Sequence, residues 1–95
     1  MIEGKLGVAI HGVGQVAYAH AASWLKNAHV RIVRVSSRRR ESAQRLADKF
    51  GLDCTVGDSF EEILKDDRVD IVNISGPNQV HAEQGIAAAE AGKHL

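Results

Sequence analysis

Two hydrophobic periods alternate along these 95 residues, and that alternation constrains the fold more than any single motif. Leu6-Gly7-Val8-Ala9-Ile10 is a continuous apolar run, the pattern of a strand buried on both faces. From Gln15 to Lys26 the pattern turns helical, with Val16, Ala19, Ser23 and Lys26 on one stripe and Trp24-Leu25 beside it. Val30 to Val35 is β-branched and strand-like. Ala43, Leu46, Ala47 and Phe50 then fall at i, i+3, i+4 and i+7 of an amphipathic helix, which Gly51 stops. Cys54-Thr55-Val56 is a short strand. Ser59-Phe60-Glu61-Glu62 fits a capping box opening a helix through Leu64. Val69–Ile74 is the next strand, and Pro77-Asn78 starts an alanine-rich helix through Glu90, before Gly92. Strands alternating with helices across short connections predict parallel strands joined by right-handed crossovers. The expectation is an α/β, Rossmann-like, doubly wound parallel sheet of order 3-2-1-4, ending before a fifth strand.

Composition narrows the class without naming a function. With 44% apolar and 25% charged residues, nine Gly and one Pro, the chain is neither a disordered tail nor a collagen-like repeat. The single Cys54 allows no internal disulfide, and the N-terminus lacks a signal-peptide layout, so a cytoplasmic location is expected. No apolar run reaches the roughly 18 residues of a membrane span. Net charge is zero, yet residues 1–50 hold nine Lys/Arg against three Asp/Glu, and residues 51–95 hold three against nine. Six arginines crowd between Arg31 and Arg45. Charge this local suggests a small anionic partner and argues against nucleic acid, which usually meets basic charge spread over a domain.

The sharpest local signal follows the first strand. Gly12-Val13-Gly14-Gln15-Val16-Ala17 is a GxGxxA run that opens the first helix. The first glycine permits the tight turn, the second lets a pyrophosphate approach the backbone, and a small third residue lets helix and strand pack closely. The helix start offers amides and partial positive charge to phosphate. At the end of the second strand a fold selecting NAD places an acid for the adenosine 2′-hydroxyl. Here Val35-Ser36-Ser37-Arg38-Arg39-Arg40 has no acid before Glu41. Ser37 and Arg38 suit a 2′-phosphate through charge-assisted hydrogen bonds, so NADP is expected in preference to NAD. Arg40 and Arg45 read as a solvated helix face. After the fourth strand, Pro77 stiffens a turn where Asn78 and His81 serve either as helix-start residues or as cofactor contacts.

These segments together resemble the Gfo/Idh/MocA oxidoreductases, the glucose–fructose oxidoreductase and inositol dehydrogenase family. The likeness runs from Lys5 to Leu95, through Gly12–Ala17 with His20, Ser37-Arg38, Ser59–Leu64, Val69–Val72, Pro77-Asn78-x-x-His81 and Ala91-Gly92-Lys93-His94. It implies that Gly12, Gly14 and Ala17 lie under the pyrophosphate, that Asn78 lies near the nicotinamide ribose with His81 just behind it, and that Val13, Gln15, Val16 and Pro77 also bind the cofactor. It also implies hydride transfer on a sugar, cyclitol or related polyol, and a homo-oligomeric parent. Family members continue into a strand and a Glu-Lys-Pro motif whose lysine positions nicotinamide and substrate. Lys93 lies on the wrong side of that strand, so no residue here takes a catalytic role, and the 95 residues are expected to be inactive alone. Residues 1–95 thus read as the N-terminal part of a dinucleotide-binding domain without its substrate domain. With no fifth strand, Ile71–Ile74 would form an apolar edge that recruits other chains. A non-catalytic NAD(P)-sensing module is the alternative, and a CoA-binding domain of ligase type is a further rival sharing the glycine turn.

Overall fold

The computed structural model describes residues 4–12, 14–74 and 92, and of Gln15 and Val16 the backbone alone. Its elements run β1 (Leu6–His11), α1 (Gln15–Leu25), β2 (Val30–Ser36), α2 (Arg40–Phe50), β3 (Thr55–Gly57), α3 (Phe60–Lys65) and β4 (Ile71–Ile74). All strand pairs are parallel, and the order is β3-β2-β1-β4, as the alternating periods require. Helices α1 and α2 cover one face of the sheet, where Val8, Ile10, Ile32 and Val35 meet Ala17, Ala21, Ala43 and Leu46. Helix α3 covers the other, where Ala9, Val33, Val72 and Ile74 surround Ile63. The helix expected from Pro77 to Glu90 lies outside the described residues.

Central strand β1 is buried from Gly7 to His11. Glycine at position 7 is a packing requirement, because a Cβ there would sit inside the Arg68 carbonyl oxygen. The crossing chain is fixed there twice: the Asp70 amide donates to the Gly7 carbonyl, and the Gly7 amide donates to the Asp70 carboxylate, both at 2.8 Å. Gly51 ends α2 in the left-handed region at φ +61°, where a side chain would be strained.

Three local features differ from the sequence reading. On α1 the buried positions are Ala17 and Ala21, while Ala19, Ser23 and Lys26 of the expected stripe are exposed. The helix approaches β1 and β2 so closely that alanine marks its inner face, and alanine at 17, 19 and 21 leaves the period ambiguous. The capping box does not form: Ser59 is the N-cap of α3 without a side-chain bond. Glu62 instead accepts from Arg34 Nη1 at 3.2 Å, a charged partner outcompeting a backbone amide. Third, β4 begins at Ile71, two residues later than read, because Val69 and Asp70 are held by Asp66 and Gly7.

A bulge in β2 was invisible in the sequence. Val8 pairs with Ile32 but Ala9 with Arg34, so Val33 is an extra residue in the ladder. Strict alternation would place Arg34 beside Val30 and Ile32, on the apolar α1/α2 face. The bulge turns it to the α3 face, where its guanidinium meets Asp66 and Glu62 at 3.2 Å each.

Candidate dinucleotide site

In a parallel sheet of order β3-β2-β1-β4 the strand order reverses between β1 and β4, and a crevice opens at the carboxyl ends of the strands there, with the end of β2 beside it. Both glycine signals stand there. Gly12 leaves β1 at φ +93°, a conformation that favours glycine, and its amide donates to the Ser36 carbonyl at 2.9 Å. Gly14 is the N-cap of α1 in extended conformation, and a Cβ built on it meets no described atom within 4 Å. Among the described residues, then, packing does not require the missing side chain at this helix start. A helix whose N-cap has no side chain leaves its first amides to a ligand or solvent. Ala17 directly behind is fully buried against the sheet.

Ser37 follows β2 and is buried, its amide donating to the Gly57 carbonyl of β3 at 3.3 Å. Its hydroxyl accepts from the Arg39 amide at 3.4 Å, so it shapes the turn into α2. Ser37, Arg38, Arg39 and Ser42 line an open depression of about 550 Å³, without a carboxylate among them. Arg39 and Ser42 were not singled out from the sequence. Ser42 is the third residue of α2, and a first-turn serine after the arginine run was the available signal. Arg31 and Arg34, at the start of the arginine cluster, lie elsewhere: Arg34 is paired as above, and Arg31 stands 3.9 Å from Asp53. Arg40 and Arg45 are exposed on α2. The cluster thus resolves to Arg38 and Arg39 at this end of the sheet.

His11 is buried at the same end, its Nδ1 2.6 Å from Ser36 Oγ and its ring edge-on to Phe60 at 5.0 Å. Burial pushes the pKa of this imidazole below the ordinary histidine value. His20 sits instead on the side of α1 toward β4, near Asn73, whose amide nitrogen lies 3.0 Å from its Nδ1 and whose oxygen accepts from Trp24 Nε1 at 3.2 Å. Val13, Pro77, Asn78 and His81 lie outside the described residues, as do the side chains of Gln15 and Val16. No helix among the described residues is long and apolar enough to cross a membrane.

A left-handed glycine and an exposed helix start beside the switch point of a parallel sheet, with a basic pocket at the end of the neighbouring strand, define a dinucleotide-binding fold. The chain belongs to the Gfo/Idh/MocA oxidoreductases: residues 6–95 match the model of that family, described as an oxidoreductase family with an NAD-binding Rossmann fold. D-glucoside 3-dehydrogenase of Escherichia coli K12 is 36% identical over 96 residues, covering 100% of this chain and 27% of that protein. D-xylose 1-dehydrogenase (NADP(+)) 2 of Haloferax volcanii is 38% identical over 95 residues, covering 100% and 27%. Among solved structures, levoglucosan dehydrogenase in complex with NADH and L-sorbose superposes with a TM-score of 0.86 at 31% identity, over 95% of this chain and 26% of that one. The chain spans about a quarter of the length of the relatives it matches.

Proposed function

We propose that this chain is the nucleotide-binding part of an NAD(P)-dependent oxidoreductase, that it prefers NADP, and that the whole protein acts on a hydroxyl or carbonyl carbon of a sugar, cyclitol or related polyol. The observation that carries the cofactor preference is the depression lined by Ser37, Arg38, Arg39 and Ser42, basic and without a carboxylate among these residues, next to Ser36 whose carbonyl holds the Gly12 amide. A 2′-phosphate bears charge that two guanidinium groups and two hydroxyls complement, whereas a carboxylate would repel it. Gly12 and Gly14 bring backbone to the pyrophosphate, and the α1 amides neutralise part of its charge. Relatives whose names carry NADP and NADH alike leave this pocket as the discriminating feature. The nicotinamide, when bound, supplies or accepts hydride; on this reading the described residues bind and orient and transfer no proton themselves. Asn78 and His81 remain the candidates for the nicotinamide side.

The same reading holds residues 1–95 to be one portion of a cytoplasmic, homo-oligomeric enzyme, with β4, at the end of the described sheet, as an associating edge. Sedimentation that shows a monomer at all concentrations would refute the edge.

Trp24 on α1 provides the assay for the cofactor, through quenching of its fluorescence and energy transfer to a reduced nicotinamide. NADPH should bind more tightly than NADH. Arg38→Ala should weaken NADPH about tenfold, the scale of a charge-assisted hydrogen bond, and leave NADH nearly unchanged. Tighter binding of NADH by the unaltered chain would overturn the preference.

A further inference from the structure

We propose that His11 is a positioning residue for the adenosine-phosphate end of the cofactor: clamped to Ser36, it fixes the offset between the glycine turn and the Ser37–Arg38 pocket. The inference rests on reading that pocket as the phosphate subsite. It begins from where the backbone ladder ends. His11 and Ser36 are the last paired residues of β1 and β2, and from them the two chains leave the sheet. One enters the Gly12 turn, the other the serine and arginine pocket. The two chains are then held by backbone bonds from Gly12 to the Ser36 carbonyl and from Ser37 to the Gly57 carbonyl.

Upstream, the same strand pair carries the bulge at Val33, and beyond it Ala9 with Arg34, Ile10 with Val35 and His11 with Ser36 set the offset at which the two chains leave the sheet. A side-chain bond at the last of these pairs fixes that offset at the end that matters for binding. The 2.6 Å separation of His11 Nδ1 and Ser36 Oγ supplies it. Either tautomer of the neutral ring can form that bond, because a serine hydroxyl both donates and accepts. Ser36 is fully buried, so its hydroxyl needs a partner, and an aliphatic residue at position 11 could not provide one. Phe60 of α3 orients the ring by its edge-on contact, and Ile74 of β4 lies opposite His11 in the ladder. Ser36 and Phe60 thus hold the imidazole, and the link to Ser36 joins the two strands that run into the glycine turn and the basic pocket.

The experiment compares dissociation constants for NADPH and NADH, read by Trp24 fluorescence on the full chain, for the unaltered sequence, His11→Phe and His11→Asn. Phenylalanine keeps the aromatic contact and removes the bond; asparagine keeps a polar atom near the Nδ1 position. His11→Phe should weaken NADPH by up to about tenfold and NADH by about twofold or less, with His11→Asn restoring most of the loss. General loosening of the fold would weaken both cofactors alike. An unchanged ratio of the two constants in His11→Phe therefore overturns the inference, whichever cofactor the unaltered chain binds more tightly. If His11→Phe loses its folded circular dichroism, Ser36→Ala cuts the same link, and the same change or constancy of the ratio decides. Preference of the unaltered chain for NADH would instead refute the reading of the pocket.

Discussion

The two faces of the sheet are sealed by different chemistry. The α1/α2 face is packed mainly by apolar contact: alanines at 17, 21 and 43 let two eleven-residue helices lie close to β1 and β2, with Leu46 filling the space between. The α3 face has a helix of only six residues, and polar anchors add to its apolar cluster. Arg34 reaches Asp66 and Glu62, Arg68 binds Asp66 at 2.8 Å, and His11 joins Ser36. A helix that short buries little area, so directional bonds supplement the hydrophobic term. The contrast assigns tasks as well: the face that must carry a helix start to the glycine turn is mostly apolar, with Asn73 bonding Trp24 and His20 at its β4 side, and the face behind it fixes the strands through charged groups.

Substitutions can break this contrast, and the largest effect should come from Gly7→Ala. Its Cβ would overlap the Arg68 carbonyl, backbone that cannot yield, and chemical denaturation should show a loss of about 3 kcal/mol or more. A near-neutral result would mean that the loop before β4 is not fixed on the α3 side. Ala21→Leu tests the mostly apolar face by overfilling a site with no exposed surface; a loss of about 1–3 kcal/mol in the same assay is expected. Tolerance there would show that α1 can ride higher on the sheet.

Asp66→Asn probes the anchored face, with an expected loss of about 1–3 kcal/mol at neutral pH as Arg34 and Arg68 lose their common carboxylate. Hydrogen bonds from Arg68, then Arg34, hold the Asp66 carboxyl well below the usual carboxylate range, against the opposing effect of burial. Its contribution is thus present above the unfolded value near about pH 4 and is lost as pH falls further. His11 acts in a higher window. Its folded pKa is depressed, so the unfolded chain takes up protons first, and stability erodes as pH drops below about 6.5. Thermal melts from pH 7 to pH 3 should show both phases, with His11→Asn removing the upper and Asp66→Asn the lower. Ser59→Ala should have the smallest effect, under about 0.5 kcal/mol, because the expected cap bond is absent.

Element order and sheet topology were legible in the sequence, because a βα alternation with short connections leaves few parallel arrangements. The glycine turn was legible for the same reason, since a strand before and a helix after give GxGxxA its meaning. What stayed hidden depends on contacts between distant residues. Nothing near Val33 announces an extra residue in the ladder, and His11 and Ser36 lie 25 positions apart. Glu62 was read as a capping partner because the four-residue spacing is local, while its actual partner Arg34 comes from another strand. Arg38 lines the basic depression after β2, whereas Arg31 and Arg34 look equivalent to it in the sequence until the fold assigns them acidic partners.

The extra residue in β2 has a consequence for comparing this chain with its kin. On either side of Val33 the pairing with β1 is regular, Val8 with Ile32 and Ala9 with Arg34. Deleting Val33 would therefore leave an unbroken ladder with every later side chain still on its present face. A relative one residue shorter here can keep Arg34 and Ser36 in their places, and an alignment that puts the gap anywhere downstream would mispair the histidine clamp and the arginine pocket together.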